Sequence, residues 1–175
     1  SLRICDEIER RFPVLGKTIS FNAVKDMTMI HDAGEIKKRD LVISRSDYQE
    51  VVKPWKEEER AAFMAMTEDW IENEGDREQV RSIYDRYALY RRDDPEALMA
   101  HLIDKIQAVR FGLRHVYNLG HSNDPLVQEH GAYSLGVLLK FAPPLLANLP
   151  EDAREELMVF MREEVEGYRT AGYPQ

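Results

Sequence analysis

The segment MIHDAGEIKKRDL, residues 29–41, places an imidazole and a carboxylate side by side at His31 and Asp32. The doublet follows apolar residues at helical spacing, among them Met27 and Ile30, so it is expected where a buried helix reaches the surface. An imidazole nitrogen beside a carboxylate oxygen is a suitable donor pair for a divalent metal. The segment therefore predicts a metal site at the end of a helix.

Glu35 is the next acidic residue of this segment, four positions after His31 and three after Asp32. If the helix continues through this point, these spacings place all three side chains on neighbouring parts of one surface. Gly34 favours a break in the helix instead. The placement of Glu35 relative to the doublet therefore stays open at this point.

A distant carboxylate, Asp104, stands among aliphatic residues in the sequence LIDKI. An unpaired charge in an apolar helix is costly. A divalent cation held by His31, Asp32 and Asp104 would compensate the charge in both segments. The alternatives are an ordinary ion pair between Asp104 and Lys105 or Arg110, or a position at the edge of the buried face where the charge is not buried.

The order His-Asp-x-Gly-Glu, with Asp40 five residues after Glu35 and with the distant pair Asp104-Lys105, resembles the HD-domain metal-dependent phosphohydrolases. Within that family the sequence resembles the branch of 5'-deoxynucleotidases that act on nucleoside monophosphates, over residues 1–116. The resemblance implies that Asp40 contacts the sugar of the nucleotide. It also implies a small phosphorylated substrate.

A donor set that mixes imidazole and carboxylate favours one divalent transition metal, such as Mn, Co, Fe, Ni or Zn, over Mg or Ca. Such an ion would lower the pKa of bound water to roughly 7 and offset the charge that builds on phosphorus. Glu35 would then orient or deprotonate the attacking water, or protonate the departing alkoxide. The expected reaction is hydrolysis of a phosphomonoester.

The family that the sequence resembles binds its metal with one further His upstream of the doublet, in a run similar to Glu-His-Ser before a helix. The first four residues, SLRI at positions 1–4, resemble the continuation of that run. Two interpretations follow: the ligand precedes Ser1 in a longer protein, or the protein lacks it. Reading the gene upstream of Ser1 decides between them.

The composition bounds the classes of partner and the compartment. The 175 residues carry a formal net charge of -8, which disfavours binding to nucleic acid polymers, although the local cluster 37–39 of two Lys and one Arg can still meet a small anion. The single cysteine, Cys5, excludes a disulfide within the chain and favours the reducing cytoplasm. The absence of any apolar run near ~20 residues predicts that the protein does not cross a membrane.

Helical periodicity runs through the chain without convincing alternation of period two, so we expect an all-α, HD-domain-like helical globule of seven or eight helices. Helices are expected over residues 1–12, from Thr18 or Ser20 to about His31, and over about 57–73, 76–91, 95–116, 125–142 and 151–171. Pro13 and the pair Pro143-Pro144 are expected to end helices. Residues 41–56, around Pro54, are expected to form a loop, with or without a short helix in it. Trp70, Tyr84 and Tyr87 are expected in the core.

The predicted layout is a single domain, residues 1–175. Residues 1–116 would form the HD-like metal-binding core, and the helices of residues 125–170 would pack on it. By analogy with the family, a homodimer is expected. The last two helices, which the resemblance does not cover, are the expected interface.

Two alternatives to a hydrolase stay open. The first is a non-catalytic HD module that binds a nucleotide or a protein partner, and the second is a helical interaction protein without a metal. Phosphodiesterase or oxidative chemistry at a two-metal site would require further histidines that the sequence does not place.

Overall fold

A computed structural model describes the backbone of residues 1–36, 48–89, 91–119, 136 and 140–170, and the side chains of residues 1–34, 54–89, 91–112, 136 and 140–168. The helices are α1 (Leu2–Arg11), α2 (Pro13–Thr18), α3 (Phe21–Ile30), α4 (Tyr48–Trp70), α5 (Glu74–Leu89), α6 (Pro95–Leu119), α7 (residues 140–148) and α8 (Glu151–Thr170), with a short 3-10 helix at Ala33–Ile36. No strand occurs in these ranges, and the predicted all-α fold is confirmed.

The helices group into two compact units. The α6 unit contains Ser1–Thr28 and Tyr90–Gln175, and the hairpin unit contains Met29–Leu89. The doublet His31-Asp32 belongs to the hairpin unit, whereas Asp104 belongs to the α6 unit. The layout predicted from sequence, with a core over residues 1–116, stays a prediction.

Helix α6 is the central element of its unit. Residues 97–100 are all fully buried, which requires neighbours on more than one side of the helix. Asp94 caps the helix, since its Oδ1 accepts a hydrogen bond from the backbone N–H of Ala97 at 3.0 Å. Helix α1 packs against α6 and α2. Cys5 of α1 is completely buried, and this burial raises the pKa of its thiol to about 11.

Helix α2 packs against both α1 and α8. Pro13 follows the end of α1, as predicted. It also occupies the first position of α2, where its missing N–H costs no helical hydrogen bond. The N–H of Leu15 lies in the first turn of α2, where backbone donors have no acceptor within the helix, and it donates to Glu156 Oε2 of α8 at 2.8 Å. The rings of Phe12 and Phe160 meet edge to face nearby, with centroids 5.9 Å apart.

An ion network based on Arg110 joins three helices of the α6 unit. The guanidinium of Arg110 in α6 bonds to Glu7 Oε2 of α1 at 2.9 Å and to both carboxylate oxygens of Glu164 of α8, with Nε 3.1 Å from Oε2. The hydroxyl of Tyr168 also donates to Glu164 at 2.8 Å. The hydrogen bond to Glu164 is the main cause that raises the pKa of Arg110.

The hairpin unit is built on α4 and α5. Arg60 of α4 makes two bonds of 2.7 Å to Asp85 of α5, and Glu68, two turns further along α4, pairs with Arg77, two turns earlier on α5. Because residue numbers rise on one helix as they fall on the other, the two helices run antiparallel.

The core of the hairpin unit is the cluster of Phe63, Met66 and Tyr84. The rings of Phe63 and Tyr84 stack at 3.9 Å between centroids. The burial of Tyr84 and Tyr87 confirms the prediction for both side chains. The prediction for Trp70 is wrong: its side chain is 64% exposed, because it is the last residue of α4, one turn past Met66 and outside the cluster.

Two predicted interruptions are also wrong. Residues 48–56 belong to α4, with Pro54 inside the helix, so the expected loop does not extend that far. Pro143 and Pro144 lie within α7. A proline removes one backbone donor, but packing of the helix can outweigh that local cost. The rest of the expected loop, 41–47, and most of the helix expected over 125–142 fall outside the described residues.

No helix in the described ranges combines the length and the apolar character needed to cross a membrane.

Candidate metal centre

The His31-Asp32 doublet lies on a turn directly after α3, which ends at Ile30. His31 Nε2 lies 2.9 Å from Asp32 Oδ2. The imidazole is mostly buried, with 12% of the side chain exposed, whereas 63% of the Asp32 side chain is exposed. The turn therefore brings the two predicted donors together at the surface of the hairpin unit.

The separation of these two donor atoms is that of a direct His–Asp contact, and it is also short enough for both atoms to bind one metal ion. Two ligand atoms that each lie about 2.1 Å from one ion at a right angle are about 3 Å apart. Imidazole nitrogen with carboxylate oxygen also matches the chemical preference of the transition metals. Among the described residues, no group of three or more His, Cys, Asp or Glu side chains is arranged as a metal-binding cluster.

Neighbouring side chains hold the turn on the hairpin. The ring of Tyr87 in α5 packs against the imidazole of His31, with centroids 5.2 Å apart and planes inclined by 56°. Ile30 and Ala33, on either side of the doublet, pack on the hairpin core. The backbone carrying the doublet is therefore fixed by contacts on both sides.

Gly34 has a role that the sequence did not indicate. A Cβ at this position would lie 2.7 Å from Cγ of Glu59, 2.8 Å from the Glu59 carbonyl oxygen and 3.2 Å from the Tyr84 hydroxyl. The first two distances are far below ordinary contact, and one of them involves backbone that cannot move independently of α4. Glycine is required here because the turn approaches α4 closely.

Replacing Gly34 by alanine is expected to lower the free energy of unfolding by about 1–3 kcal/mol, the cost of forcing extra volume into a packed site. Urea denaturation followed by circular dichroism measures the change. Gly167→Ala is the matched control: Gly167 lies in α8 with nothing within 4 Å of an added Cβ. That change should stabilise the protein by about 0.5–1 kcal/mol, since alanine is the better helix former. Equal effects of the two substitutions would contradict the close approach.

The remaining predicted residues of the segment are only partly described. Because α3 ends before the doublet, Glu35 does not continue the same helix and belongs instead to the 3-10 helix Ala33–Ile36. The side chain of Glu35, the whole of Asp40 and the basic cluster 37–39 fall outside the described residues. Their predicted roles stay predictions.

Asp104 lies on α6, with 18% of its side chain exposed. Its Oδ2 is 2.8 Å from Nζ of Lys105, so the ion pair considered as the alternative to a metal is present. His101, one turn earlier, stacks on the ring of Phe141 with centroids 4.7 Å apart. The role of Asp104 as a metal ligand stays a prediction.

Glu59 is a residue that sequence reasoning missed. It lies in a run of charged residues, KEEER, yet only 1% of it is exposed. A signal was present: Glu59 precedes Phe63 by four residues and Met66 by seven, so it shares their buried side of α4.

The fold and the doublet together define an all-α protein with a candidate metal centre. Comparison with known protein families matches residues 13–130, more than half of the chain, to the HD domain family. The chain belongs to this family. The match includes all five residues singled out in the sequence, namely His31, Asp32, Glu35, Asp40 and Asp104.

Membership defines the general chemistry. HD domains are all-α, they typically bind divalent metals, and the family consists in general of metal-dependent hydrolases that act on phosphate compounds. Comparisons with curated proteins and with solved structures found no match.

Proposed function

We propose that the protein hydrolyses a phosphomonoester, in particular a nucleoside 5'-monophosphate, with the help of one divalent transition metal. Membership of the HD domain family supports metal-dependent hydrolysis of phosphate compounds. The choice of a nucleotide as the substrate rests on the resemblance of the segment around residues 31–40 to 5'-deoxynucleotidases.

The observation that carries the proposal is the pair of donors on the turn. The 2.9 Å separation of His31 Nε2 from Asp32 Oδ2 suits two ligands of one ion, and the exposure of Asp32 leaves room for a substrate beside it. Asp104 is the third proposed ligand. When bound, a divalent ion supplies an acidic water and a counter-charge for the phosphate.

The remaining roles rest on the chemistry of the side chain for Glu35 and on the resemblance to 5'-deoxynucleotidases for Asp40. Glu35 is proposed to orient the attacking water and to accept its proton, or to protonate the leaving oxygen of the sugar. Asp40 is proposed to bind the sugar through a hydroxyl group, which donates to the carboxylate.

An assay of phosphate release tests the proposal. The protein, with any sequence that precedes Ser1 in its gene, is treated with a chelator. It is then given Mn²⁺, Co²⁺, Fe²⁺, Ni²⁺ or Zn²⁺ in separate reactions with a panel of nucleoside 5'- and 3'-monophosphates. We expect release from the 5'-monophosphates only when metal is present. Absence of release from the whole panel, with each of the five metals named above, would refute the proposed activity.

A non-catalytic HD module is the second candidate. The Asp104–Lys105 pair favours it, because a carboxylate that already has a cationic partner has less need of a metal. Under this alternative the protein binds a nucleotide without turning it over. Equilibrium dialysis with a nucleoside monophosphate then detects binding while the phosphate assay stays negative.

A further inference from the structure

The carboxylate of Glu59 is buried inside the hairpin unit, although nothing in the proposed chemistry uses it. One of its oxygens, Oε2, lies 2.7 Å from Nζ of Lys56, and the other, Oε1, accepts a hydrogen bond from the hydroxyl of Tyr84 at 3.3 Å. A buried carboxylate is costly unless its oxygens have such partners. The two contacts also restrict the side chain, because they hold it from α4 and from α5 at once.

Glu59 and Tyr84 also form the surface against which the turn carrying His31 and Asp32 packs. Cγ and the carbonyl oxygen of Glu59, together with the hydroxyl of Tyr84, are the atoms that a Cβ added to Gly34 would meet first, so they line the space beside this glycine. Gly34 stands between the proposed ligand Asp32 and the proposed acid-base residue Glu35. A shift of the Glu59 side chain would therefore move the backbone that carries both groups.

We propose that Glu59 is a positioning residue that fixes the turn of residues 31–35 for metal binding. It does this through its contact with Gly34 and through its hydrogen bond to Tyr84. Its carboxylate does not touch substrate or metal, since only 1% of the residue is exposed and its oxygens are engaged within the hairpin. The inference rests on the proposed function and extends the site by a residue outside the sequence motif.

Cobalt binding and amide exchange together test the role. Co²⁺ is titrated into the chelator-treated protein and followed by its visible absorption, and hydrogen exchange is measured at the backbone of residues 31–36. Glu59→Ala is expected to weaken Co²⁺ binding about 10- to 100-fold, as removal of outer supports of a metal site commonly does. It is also expected to accelerate exchange in this turn.

Arg60→Ala is the matched control. Arg60 is the next residue on α4 and pairs with Asp85, the residue after Tyr84 on α5, but it is exposed. It therefore links the same two helices without touching the turn. We expect Arg60→Ala to leave both Co²⁺ affinity and exchange at residues 31–36 unchanged.

Two conservative variants cover the case in which Glu59→Ala fails to fold. Glu59→Gln keeps the length of the side chain and an acceptor for Tyr84, so Co²⁺ affinity should stay within about fivefold of the wild type. Tyr84→Phe removes only the hydroxyl and keeps the stack on Phe63, so it should accelerate exchange in the turn.

The outcomes separate this proposal from the function on which it rests. Wild-type Co²⁺ affinity and exchange in Glu59→Ala would overturn the positioning role, as would equal losses in Arg60→Ala. Failure of the wild-type protein to bind Co²⁺ would instead reject the proposed metal centre. In that case the exchange measurement alone still decides whether Glu59 holds the turn.

Discussion

Asp32→Asn is expected to lower metal-dependent phosphate release on the order of a thousandfold, since loss of the metal removes several kcal/mol of stabilisation from the reaction. The fold should survive, because 63% of the Asp32 side chain is exposed and surface substitutions rarely change stability by more than about 0.5 kcal/mol. Asparagine keeps the size of the side chain and removes its charge. Initial rates at saturating Mn²⁺, with Co²⁺ titration of the same samples, measure the effect.

Asp69→Asn is the control for the loss of one negative charge at the surface of the same unit. Asp69 is an exposed carboxylate near the end of α4 in the same unit, and it lies outside the turn. Its substitution should leave both phosphate release and metal affinity unchanged. An Asp32→Asn protein as active as Asp69→Asn would exclude Asp32 from the metal site.

Asp104→Asn separates the two roles considered for this residue, a metal ligand or the partner of Lys105 in an ion pair. A third ligand at this position predicts a loss of activity and of metal affinity similar to that in Asp32→Asn. A purely structural carboxylate predicts neither, and the loss of its pair with Lys105 should change stability by only about 0–1 kcal/mol. Unchanged activity in this variant would exclude Asp104 as a ligand and would leave His31 and Asp32 as the proposed ligands.

Local patterns in the sequence predicted most of the helical framework. The start of α6 at Asp94 and Pro95 follows from capping chemistry, which depends on a few adjacent residues. Pro54 and the pair 143–144 show where such rules stop, because a helix with a packed face can retain a proline whose isolated cost predicts a break.

The environment of the doublet could not be predicted in the same way. The adjacency of His31 and Asp32 is a property of the chain, but the need for Gly34 depends on α4, which lies 25 residues further along at Glu59. Sequence reasoning treated Gly34 as a break in a helix, since a glycine's close contacts are invisible without the partner helix. The burial of Glu59 was readable from its spacing to Phe63, yet its charge favoured the surface.

Arg110→Ala is expected to lower the free energy of unfolding by about 3 kcal/mol, because removing one partner leaves a charge buried without compensation. The charge that loses its cationic partner is the carboxylate of Glu164, whose side chain is only 10% exposed and which keeps one hydrogen bond, from the Tyr168 hydroxyl. Arg91→Ala is the control, since its pair with Asp93 is exposed on both sides and should contribute little. Urea denaturation at pH 7 compares the two variants, and equal losses would contradict the network's role.

The same substitution should change the response to acid. Burial by itself would raise the pKa of Glu7, but hydrogen bonds from Arg110 and Arg11 outweigh it, so the pKa lies below its ordinary value of 4.5. A lowered carboxyl pKa contributes stability above the unfolded value and loses it as the pH falls through the folded value. The free energy of unfolding of the wild type should therefore decrease as the pH is lowered below 4.5. The Arg110→Ala variant should lose less free energy of unfolding over the same pH range, since its Glu7 pKa rises toward that of the unfolded chain. Denaturation series between pH 7 and pH 3 measure the slopes, and parallel slopes in the two proteins would show that Arg110 does not control the titration of Glu7.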